Sequence, residues 1–244
     1  MLTRRSVMMG SVAAEAVKPE RGFAQDSWQD LLADAMRPGN PLTLGRRVPP
    51  SNSPLWREAK IQMDLAKKQK DPYKIMKYFV TSLDPKFQTA WPEPNPNNPT
   101  LANPLIMLLF VATKTKPEGD KTAWCGAGMN WCLANSTPGA TGTGSASSQS
   151  FLDYGQEVWN ASQSWPPVNA RRGDIAVFTL KSEPSHGHVA FFDQPTSDQP
   201  NRVDVLGANQ FDRVGSHTFN TSSIRINERL RLATIRTAPY LREI

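Results

Sequence analysis

The spacing of hydrophobic residues changes along the chain, from a helical repeat in the first half to short apolar runs in the second. Four apolar side chains in the segment 72–83 recur three or four positions apart: Met76, Phe79, Val80 and Leu83. This spacing predicts an amphipathic helix, with Pro72 in its first turn, where proline is tolerated. The run 104–113 is apolar almost throughout and predicts a short buried helix.

After residue 170 the pattern becomes one of short β-branched or aromatic runs bounded by turn residues, which is typical of strands. Four such runs occur, at 173–178, 188–192, 203–207 and 230–237. Because helical patterns come first and strands follow, the sequence predicts an α+β fold, in which N-terminal helices pack on a C-terminal antiparallel β-sheet.

Two proline-rich stretches, at 37–55 and 91–105, divide the chain, since proline cannot continue a helix. A short helical pattern at 28–36 precedes the first stretch. A chain of 244 residues suits one globular domain with an extension. We therefore expect an N-terminal extension at 25–54 and a single domain at 55–244.

The first 24 residues resemble a twin-arginine export signal. Arg4 and Arg5 precede a short apolar stretch, and the small residues Gly22 and Ala24 suit a cleavage site. Glu15 limits the apolar stretch to about eight residues, which is short for a signal, so an uncleaved cytoplasmic tail is the alternative. Export would place the mature protein in the periplasm or outside the cell.

The positive charge of the chain narrows the choice of partners. The formal net charge is +6, and +4 remains when the two excess positive charges of residues 1–24 are removed. Such a charge suits an anionic polymer, which includes nucleic acid, a membrane surface or the bacterial cell wall. Because no basic run is interleaved with aromatic residues, we expect no nucleic-acid partner. No stretch approaches the roughly 20 apolar residues that cross a bilayer, so we expect no stable membrane insertion.

The candidate chemistry centres on the segment A-W-C-G-A-G-M-N-W-C-L at 123–133, which holds the only two cysteines. A helix is expected to begin near Cys125, with Asp120 or Thr122 as its cap. Both thiols then lie on one face, with α-carbons roughly 10 Å apart. This distance excludes a disulfide between Cys125 and Cys132. A zinc site needs closer cysteine spacing and more ligands, so we expect no metal and no cofactor.

Position along the predicted helix separates the two thiols. Cys132 lies in its middle, beside Trp131 and Leu133, and is predicted to be a core residue. Cys125 begins the helix, where free amides and the macrodipole favour the thiolate that attacks carbonyl groups. The small residues after it allow a substrate or a strand to approach closely. Cys125 is therefore the candidate nucleophile, with a buried core thiol as the alternative.

A cysteine nucleophile needs a base, and the chain has three histidines that qualify: His186, His188 and His217. His188 opens an apolar strand, on which it faces the same side as Ala190 and Phe192. A structural histidine is the alternative interpretation.

A predicted hairpin gives His188 a partner. If 188–193 and 204–209 pair as antiparallel neighbours, opposed positions sum to 397, so Asn209 faces His188 and Asp204 faces Asp193. Opposed side chains lie about 5 Å apart at Cβ, within reach for Asn209 to orient the imidazole. A slip of one residue would turn the asparagine to the other face.

Six motifs occur in an order and spacing that resembles the CHAP-like bacterial cell-wall hydrolases, which are relatives of papain-like peptidases. They are N-P-L-I, W-C-G-A-G-M-N-W-C-L, G-T-G-S-A, R-R-G-D-I-A-V-F, G-H-V-A-F-F and V-L-G-A-N-Q. The likeness covers 100–240 and is weaker from 55. It implies a papain-like fold and cleavage of an amide bond in peptidoglycan by Cys125 as nucleophile, His188 as base and Asn209 as orienting residue.

Further expectations accompany this resemblance. Trp124, His186 and Gln210 are the predicted substrate contacts. Gly128 and Phe151 depart from the family pattern, which has a bulky apolar residue and a tryptophan there, and they suggest an altered groove. An amidase and an endopeptidase are both compatible, as are remodelling of the producer's own wall and a toxin with an immunity protein as partner. A non-catalytic wall-binding module on the same fold is the alternative function.

Overall fold

The structure, a computed structural model, describes residues 49, 52–91, 102–117, 119–211 and 216–241. The predicted export signal, the helical pattern at 28–36 and most of the extension lie outside the described residues. The helices within the described parts are α1 (Pro54–Lys67), α2 (Pro72–Thr81), α3 (Pro104–Leu109) and α4 (Cys125–Ala134). The strands are β1 (Gln156–Asn160), β2 (Ile175–Leu180), β3 (Gly187–Pro195), β4 (Arg202–Phe211), β5 (His217–Arg225) and β6 (Leu230–Thr237).

The first three helices start in the same way. Each has proline at its first position and a polar cap before it, whose side chain accepts a backbone N–H of the first turn; the caps are Ser53, Asp71 and Asn103. Proline fits there because the first amides of a helix have no intrahelical partner. The predicted helix at Pro72 and the buried helix in the run 104–113 are thereby confirmed.

The start of α4 differs from the other three. Its N-cap is Trp124, without a side-chain hydrogen bond, so the prediction that Asp120 or Thr122 caps this helix was wrong. The buried carboxylate of Asp120 instead accepts the backbone amides of Trp91 and Asn103, at 2.7 and 2.8 Å. Asp120 thus ties together the chain on both sides of the segment 92–101.

The six strands form one antiparallel sheet in the order β1-β6-β2-β3-β4-β5. Together with the helices this confirms an α+β fold. The four strands predicted from apolar runs are the inner ones, β6, β2, β3 and β4. The two strands that the pattern missed, β1 and β5, are the edges, where polar side chains on both faces are common.

Side chains of the sheet pack on both of its faces. On the helix side, Val189 and Phe191 of β3 join the larger core with α2, α3 and α4. On the other side, Phe178, Ala190 and Phe192 belong to a second, smaller cluster. Alternate residues of β3 therefore belong to different cores, as expected for a strand that is covered on both faces.

Helix α4 is buried almost all round, which explains its small residues. A Cβ placed on Gly128 would lie 2.6 Å from the Cβ of Ala208 in β4, and one on Gly126 would lie 2.2 Å from the carbonyl oxygen of Ala146. Gly128 thus lets the helix approach the sheet closely. A glycine at this position therefore has a local packing reason.

The predicted register of the β3–β4 hairpin holds in part. Phe191 pairs with Leu206 and Phe192 with Val205, as the sum of 397 requires. A register shift follows, so Asp204 faces Gln194, and the prediction that it faces Asp193 was wrong. The carboxylate of Asp193 instead accepts the hydroxyl of Tyr73 and pairs with Arg172, which fastens α2 to this end of β3.

Candidate functional site

The thiol of Cys125 lies at the N-terminus of α4, against the first residues of β3. Its side chain belongs to the larger core and is 4% exposed. The backbone amides of Val189, Gly126 and Cys125 itself act on its sulfur and favour the charged form. Two of them come from the first turn of the helix, where amides lack intrahelical carbonyl partners. The sulfur is therefore held in a pocket of N–H donors.

Burial decides the charge of this thiol. It raises the pKa of Cys125 above the ordinary value, and the amides of Val189, Gly126 and Cys125 lower it only in part. The expectation of a resting thiolate at the helix start is corrected, because loss of solvation outweighs the donors. The thiol is protonated at neutral pH.

Cys132 occupies a different kind of site. It is free, like Cys125, and it is 0% exposed. Burial, and next the charge of Asp71, raise the pKa of Cys132 well above its ordinary value. The prediction of a core thiol is confirmed.

His188 is next to Val189 in the chain, but its ring lies on the other face of β3. It faces Phe178 across the β2–β3 ladder, with ring centroids 6.3 Å apart. Its Nε2 is buried and has no hydrogen-bond partner among the described residues, so the thiol and the imidazole are not hydrogen-bonded. Burial, and next the charge of His217, lower the pKa of His188 to about 4. The ring is thus a neutral imidazole with a vacant acceptor or donor position.

Asn209 is close to the predicted place in the sheet but in a different conformation. The β3–β4 ladder stops at Phe191 and Leu206, so the predicted direct pair with His188 is not formed. Asn209 instead lies in a bulge of the β4–β5 pair, where the register shifts between Gly207 and Gln210, and its φ is 56°. Asparagine is one of the few residues that tolerate this left-handed conformation.

A cleft of about 530 Å³ brings most of the predicted site residues together. Its lining includes all three histidines of the chain and the two polar residues of the bulge: His186, His188, His217, Asn209 and Gln210. Ile224 and Leu230, which pack against the smaller cluster, also line it. The lining does not include Cys125 or Trp124, whose side chains belong to the larger core.

The three predicted substrate contacts have very different surroundings. Gln210 is 4% exposed; its amide nitrogen donates to the Asn220 carbonyl at 2.8 Å, and its Oε1 is buried without a partner in the described part of the chain. His186 is exposed and pairs with Glu183 at 3.0 Å. Trp124 is 0% exposed and packs edge-on against a phenylalanine of β5. The role predicted for Trp124 was wrong, because its ring is enclosed in the core.

His217 also lines the cleft; the sequence named it as a candidate base, and His188 was preferred. It begins β5, an edge strand whose polar sequence gave no strand signal. Burial, and next the charge of Lys121, lower the pKa of His217, while a hydrogen bond from the ring to the Asn209 backbone raises it. The sequence contains no signal for its position beyond the fact that all three histidines follow residue 170.

The outer end of the cleft carries charge of both signs. Arg225 and Glu228 form an ion pair across the β5–β6 turn. Arg229 also lines the cleft and forms no ion pair with a described residue. A cationic group is therefore left for an anionic ligand at this end.

Other chemistry has no support among the described residues. They contain no group of three or more histidine, cysteine, aspartate or glutamate side chains placed to hold a metal ion. In the same parts of the chain, no helix has the length and apolar character needed to span a bilayer.

Comparison with known proteins returned no match, whether with family models, with curated proteins or with solved structures. The fold and site therefore define a class by their own features. The protein is an α+β protein with a buried cysteine at a helix start and, separate from it, a cleft lined by histidines.

Proposed function

We propose that this protein is a cysteine-dependent hydrolase that cleaves an amide bond of peptidoglycan, on a papain-like form of the α+β fold. One observation carries the proposal: Cys125 is the first residue of α4, and the backbone amides of Val189, Gly126 and Cys125 act on its sulfur. Val189 follows His188 in the chain. Such donors stabilise negative charge as it develops on sulfur or on a carbonyl oxygen. The six ordered motifs that resemble CHAP-like hydrolases supply the substrate.

Cys125 and His188 begin the proposed reaction uncharged, as their pKa values require at neutral pH. The imidazole accepts the thiol proton as the sulfur bonds to the acyl carbon. The C–N bond then breaks, and the amine leaves with the proton that His188 carried. Water, activated by the same imidazole, hydrolyses the thioester to a carboxylate and restores the thiol.

Sulfur and imidazole must approach each other for this reaction, because the described conformation places them on opposite faces of β3 with no hydrogen bond between them. Catalytic hydrogen bonds often tighten only when substrate binds. The amides of Cys125 and Gly126 are the oxyanion donors of this proposal. Asn209, which lines the cleft with His188, is its orienting residue.

The cleft supports a peptide substrate with free carboxylates. The buried Oε1 of Gln210 accepts a peptide N–H, and His186 contributes a polar wall. Arg229 at the outer end suits a carboxylate, which the stem peptides of peptidoglycan carry. A periplasmic or secreted location, and an immunity protein if the enzyme is a toxin, belong to the same proposal.

Incubation of the purified protein with peptidoglycan sacculi tests this function. We expect soluble muropeptides, and mass spectrometry of their new ends distinguishes an amidase from an endopeptidase. We also expect a thiol reagent to label Cys125 faster than Cys132, which is 0% exposed. Absence of product together with equal labelling would contradict an enzyme.

A non-catalytic wall-binding module is the competing function. The position of Cys125 outside the cleft lining favours it, since a nucleophile must reach its substrate. This function predicts that the protein sediments with sacculi and releases nothing from them. Cys125→Ala would then bind as well as the parent protein.

A further inference from the structure

Residues 142–149, here called the strap, pack against the first turn of α4. A Cβ placed on Gly126, the residue after Cys125, would lie 2.2 Å from the carbonyl oxygen of Ala146 in the strap. Ala146 and Cys125 belong to the same core, in which Cys125 is 4% exposed. The strap therefore meets the backbone of α4 at the residue next to the thiol.

The far end of the strap reaches the strand pair that carries His188. The side-chain nitrogen of Gln149 donates to the carbonyl of Phe178 at 3.0 Å. Phe178 is the residue of β2 that pairs with His188 in the β2–β3 ladder. A Cβ on Gly187 would lie 2.6 Å from the same nitrogen, so the strap also runs close to the first residue of β3. The strap thus joins the start of the helix that carries Cys125 to the start of the strand that carries His188.

Asn130 of α4 fastens the near end of the strap from within the core. It is 0% exposed. Its Nδ2 donates to the Gly126 carbonyl in the helix and to the Ser145 carbonyl in the strap, both at 2.8 Å. Its Oδ1 accepts the backbone amide of Gly144, also at 2.8 Å. Because a primary amide can donate twice and accept at its oxygen, one side chain makes all three bonds.

The strap fits closely around Asn130 and is held by a second segment as well. A Cβ on Gly142 would lie 2.1 Å from the Oδ1 of Asn130. The backbone amide of Lys114 donates to a strap carbonyl at 2.8 Å, and the hydroxyl of Thr115 accepts a strap amide at 3.2 Å. Loss of the Asn130 bonds would therefore loosen the strap while the contacts with Lys114 and Thr115 remain.

We propose that Asn130 is a positioning residue for Cys125, which fixes the strap to the first turn of α4 and so holds the thiol enclosed and in place. The inference rests on the proposed hydrolase function only for its effect on activity. The Asn130 side chain acts through Gly126 and the strap, and its hydrogen bonds go to these and not to the thiol. Among the described residues, the lining of the cleft includes no part of the strap, so Asn130 acts on the nucleophile rather than on the substrate contacts.

Two variants break this attachment from opposite sides. Asn130→Ala removes the side-chain hydrogen bonds. Gly142→Ala places a methyl group against the Asn130 oxygen and leaves the sequence of α4 unchanged, so it carries the test alone if Asn130→Ala does not fold. Gly139→Ala is the matched control: Gly139 has a φ of 88°, and an added Cβ meets nothing within 4 Å. The control strains the same loop without touching Asn130.

Alkylation of the folded protein with iodoacetamide tests the inference without catalysis. Mass spectrometry of the two cysteine peptides gives a rate for each thiol. In Asn130→Ala and in Gly142→Ala we expect Cys125 to react at least about 5-fold faster than in the parent, because the strap opens more often. Cys132 should keep its rate, since residues two apart on a helix face different directions. Gly139→Ala should give the parent rates for both thiols.

Kinetics on soluble muropeptides measure the effect on the proposed reaction. We expect Asn130→Ala and Gly142→Ala to lower kcat about 10- to 100-fold, because a misplaced nucleophile no longer meets the acyl carbon correctly. KM should change less than about 2-fold, since the cleft is intact. Gly139→Ala should match the parent in both parameters.

The outcomes distinguish this inference from the proposed function. A parent rate for Cys125 in both variants would overturn the positioning role, even if the protein is an active hydrolase. Equal acceleration of Cys125 and Cys132 would also overturn it, because that pattern shows a general loss of stability. An unchanged kcat in an active enzyme would do the same. If the parent protein releases no muropeptide, the hydrolase proposal fails and the alkylation rates alone decide the role of Asn130.

Discussion

The two cysteines of α4 are both free and buried, yet their surroundings differ in the feature that matters for chemistry. Three amide donors meet the sulfur of Cys125, whereas Cys132 lies in a packed core in which Asp71 opposes ionisation. Both pKa values are raised, and that of Cys132 is raised much further. A helix N-terminus therefore does not make a thiolate by itself, but it keeps the cost of ionisation lower than in the core.

The difference between the two sites comes from the sheet as much as from the helix. The first amide that acts on Cys125 belongs to Val189 of β3, which is distant in the chain. The same strand carries His188, whose pKa is lowered by burial on the opposite face. Amides of the sheet and of the helix thus act on the first thiol, whereas no amide is among the groups that act on Cys132.

Replacement of each cysteine by alanine gives the largest expected contrast. Cys125→Ala should lower the rate of muropeptide release at least about 10³-fold, because it removes the proposed nucleophile. Cys132→Ala should retain the rate within about 3-fold, since its thiol contacts no reacting group. The rates are measured on sacculi with folded variants. The reverse pattern would show that the nucleophile is assigned to the wrong cysteine.

The pH dependence of stability tests the burial of His188, on the face of β3 opposite to the first thiol. The folded pKa of His188 is about 4, below the ordinary 6.5, so the unfolded chain binds this proton more readily. The contribution to stability is complete above pH 6.5 and is lost as the pH falls toward 4. The loss amounts to about 3 kcal/mol.

Urea unfolding at pH 7 and at pH 4.5 measures this loss. His188→Gln should reduce the difference in free energy of unfolding between the two pH values. The acidic limb of kcat/KM should also lie near pH 4, because the base must be neutral. A limb near the ordinary histidine value would mean that His188 is solvated and outside the described site.

The close approach of Gly128 to Ala208 offers a third test, because Gly128 lies between the two cysteines in α4. Gly128→Ala places a methyl group 2.6 Å from the Cβ of Ala208, so it should lower the free energy of unfolding by about 1–3 kcal/mol. It should also lower activity, since the N-terminus of α4 must move. The double variant Gly128→Ala/Ala208→Gly moves the methyl across the contact and should recover part of the loss. Purely additive effects would mean that this contact does not hold α4.

Serine substitutions at the two cysteines have the smallest expected effects, and they compare the stability of the two sites directly. Cys132→Ser puts a hydroxyl in a core site that is 0% exposed, which should cost about 1–3 kcal/mol. Cys125→Ser should cost less than about 1 kcal/mol, because its hydroxyl meets amide donors. Chemical denaturation of both variants measures the difference. A larger cost at Cys125 would contradict the arrangement of donors around its sulfur.

The sequence pattern predicted the inner strands of the sheet and missed its edges, for one physical reason. Most residues of β2, β3 and β4 and half of those of β6 are buried, and buried strands are rich in apolar residues. In β5 only Thr218 and Phe219 are buried, and the strand is mostly polar. No pattern of hydrophobic residues marks a strand that needs few of them.

The sequence predicted which residues belong to the candidate site better than it predicted how they are arranged. Cys125, His188 and Asn209 were chosen from local position, a hairpin register and a family resemblance, and the last two residues do share a cleft. The register failed beyond Phe191 because the bulge at Asn209 depends on pairing with β5, which was not predicted. The tolerance of asparagine for a left-handed conformation was the only local signal for it.

Local chemistry along the chain determined where the helices begin, which strands lie inside the sheet, and that the two thiols cannot bridge. These features depend on prolines, caps and hydrophobic spacing, which act over a few residues. Only the tertiary structure decided that Trp124 is enclosed, that burial keeps Cys125 protonated, and that His217 lines a cleft with His188. Solvation and contacts between distant segments set these properties, and neither is contained in any single stretch of sequence.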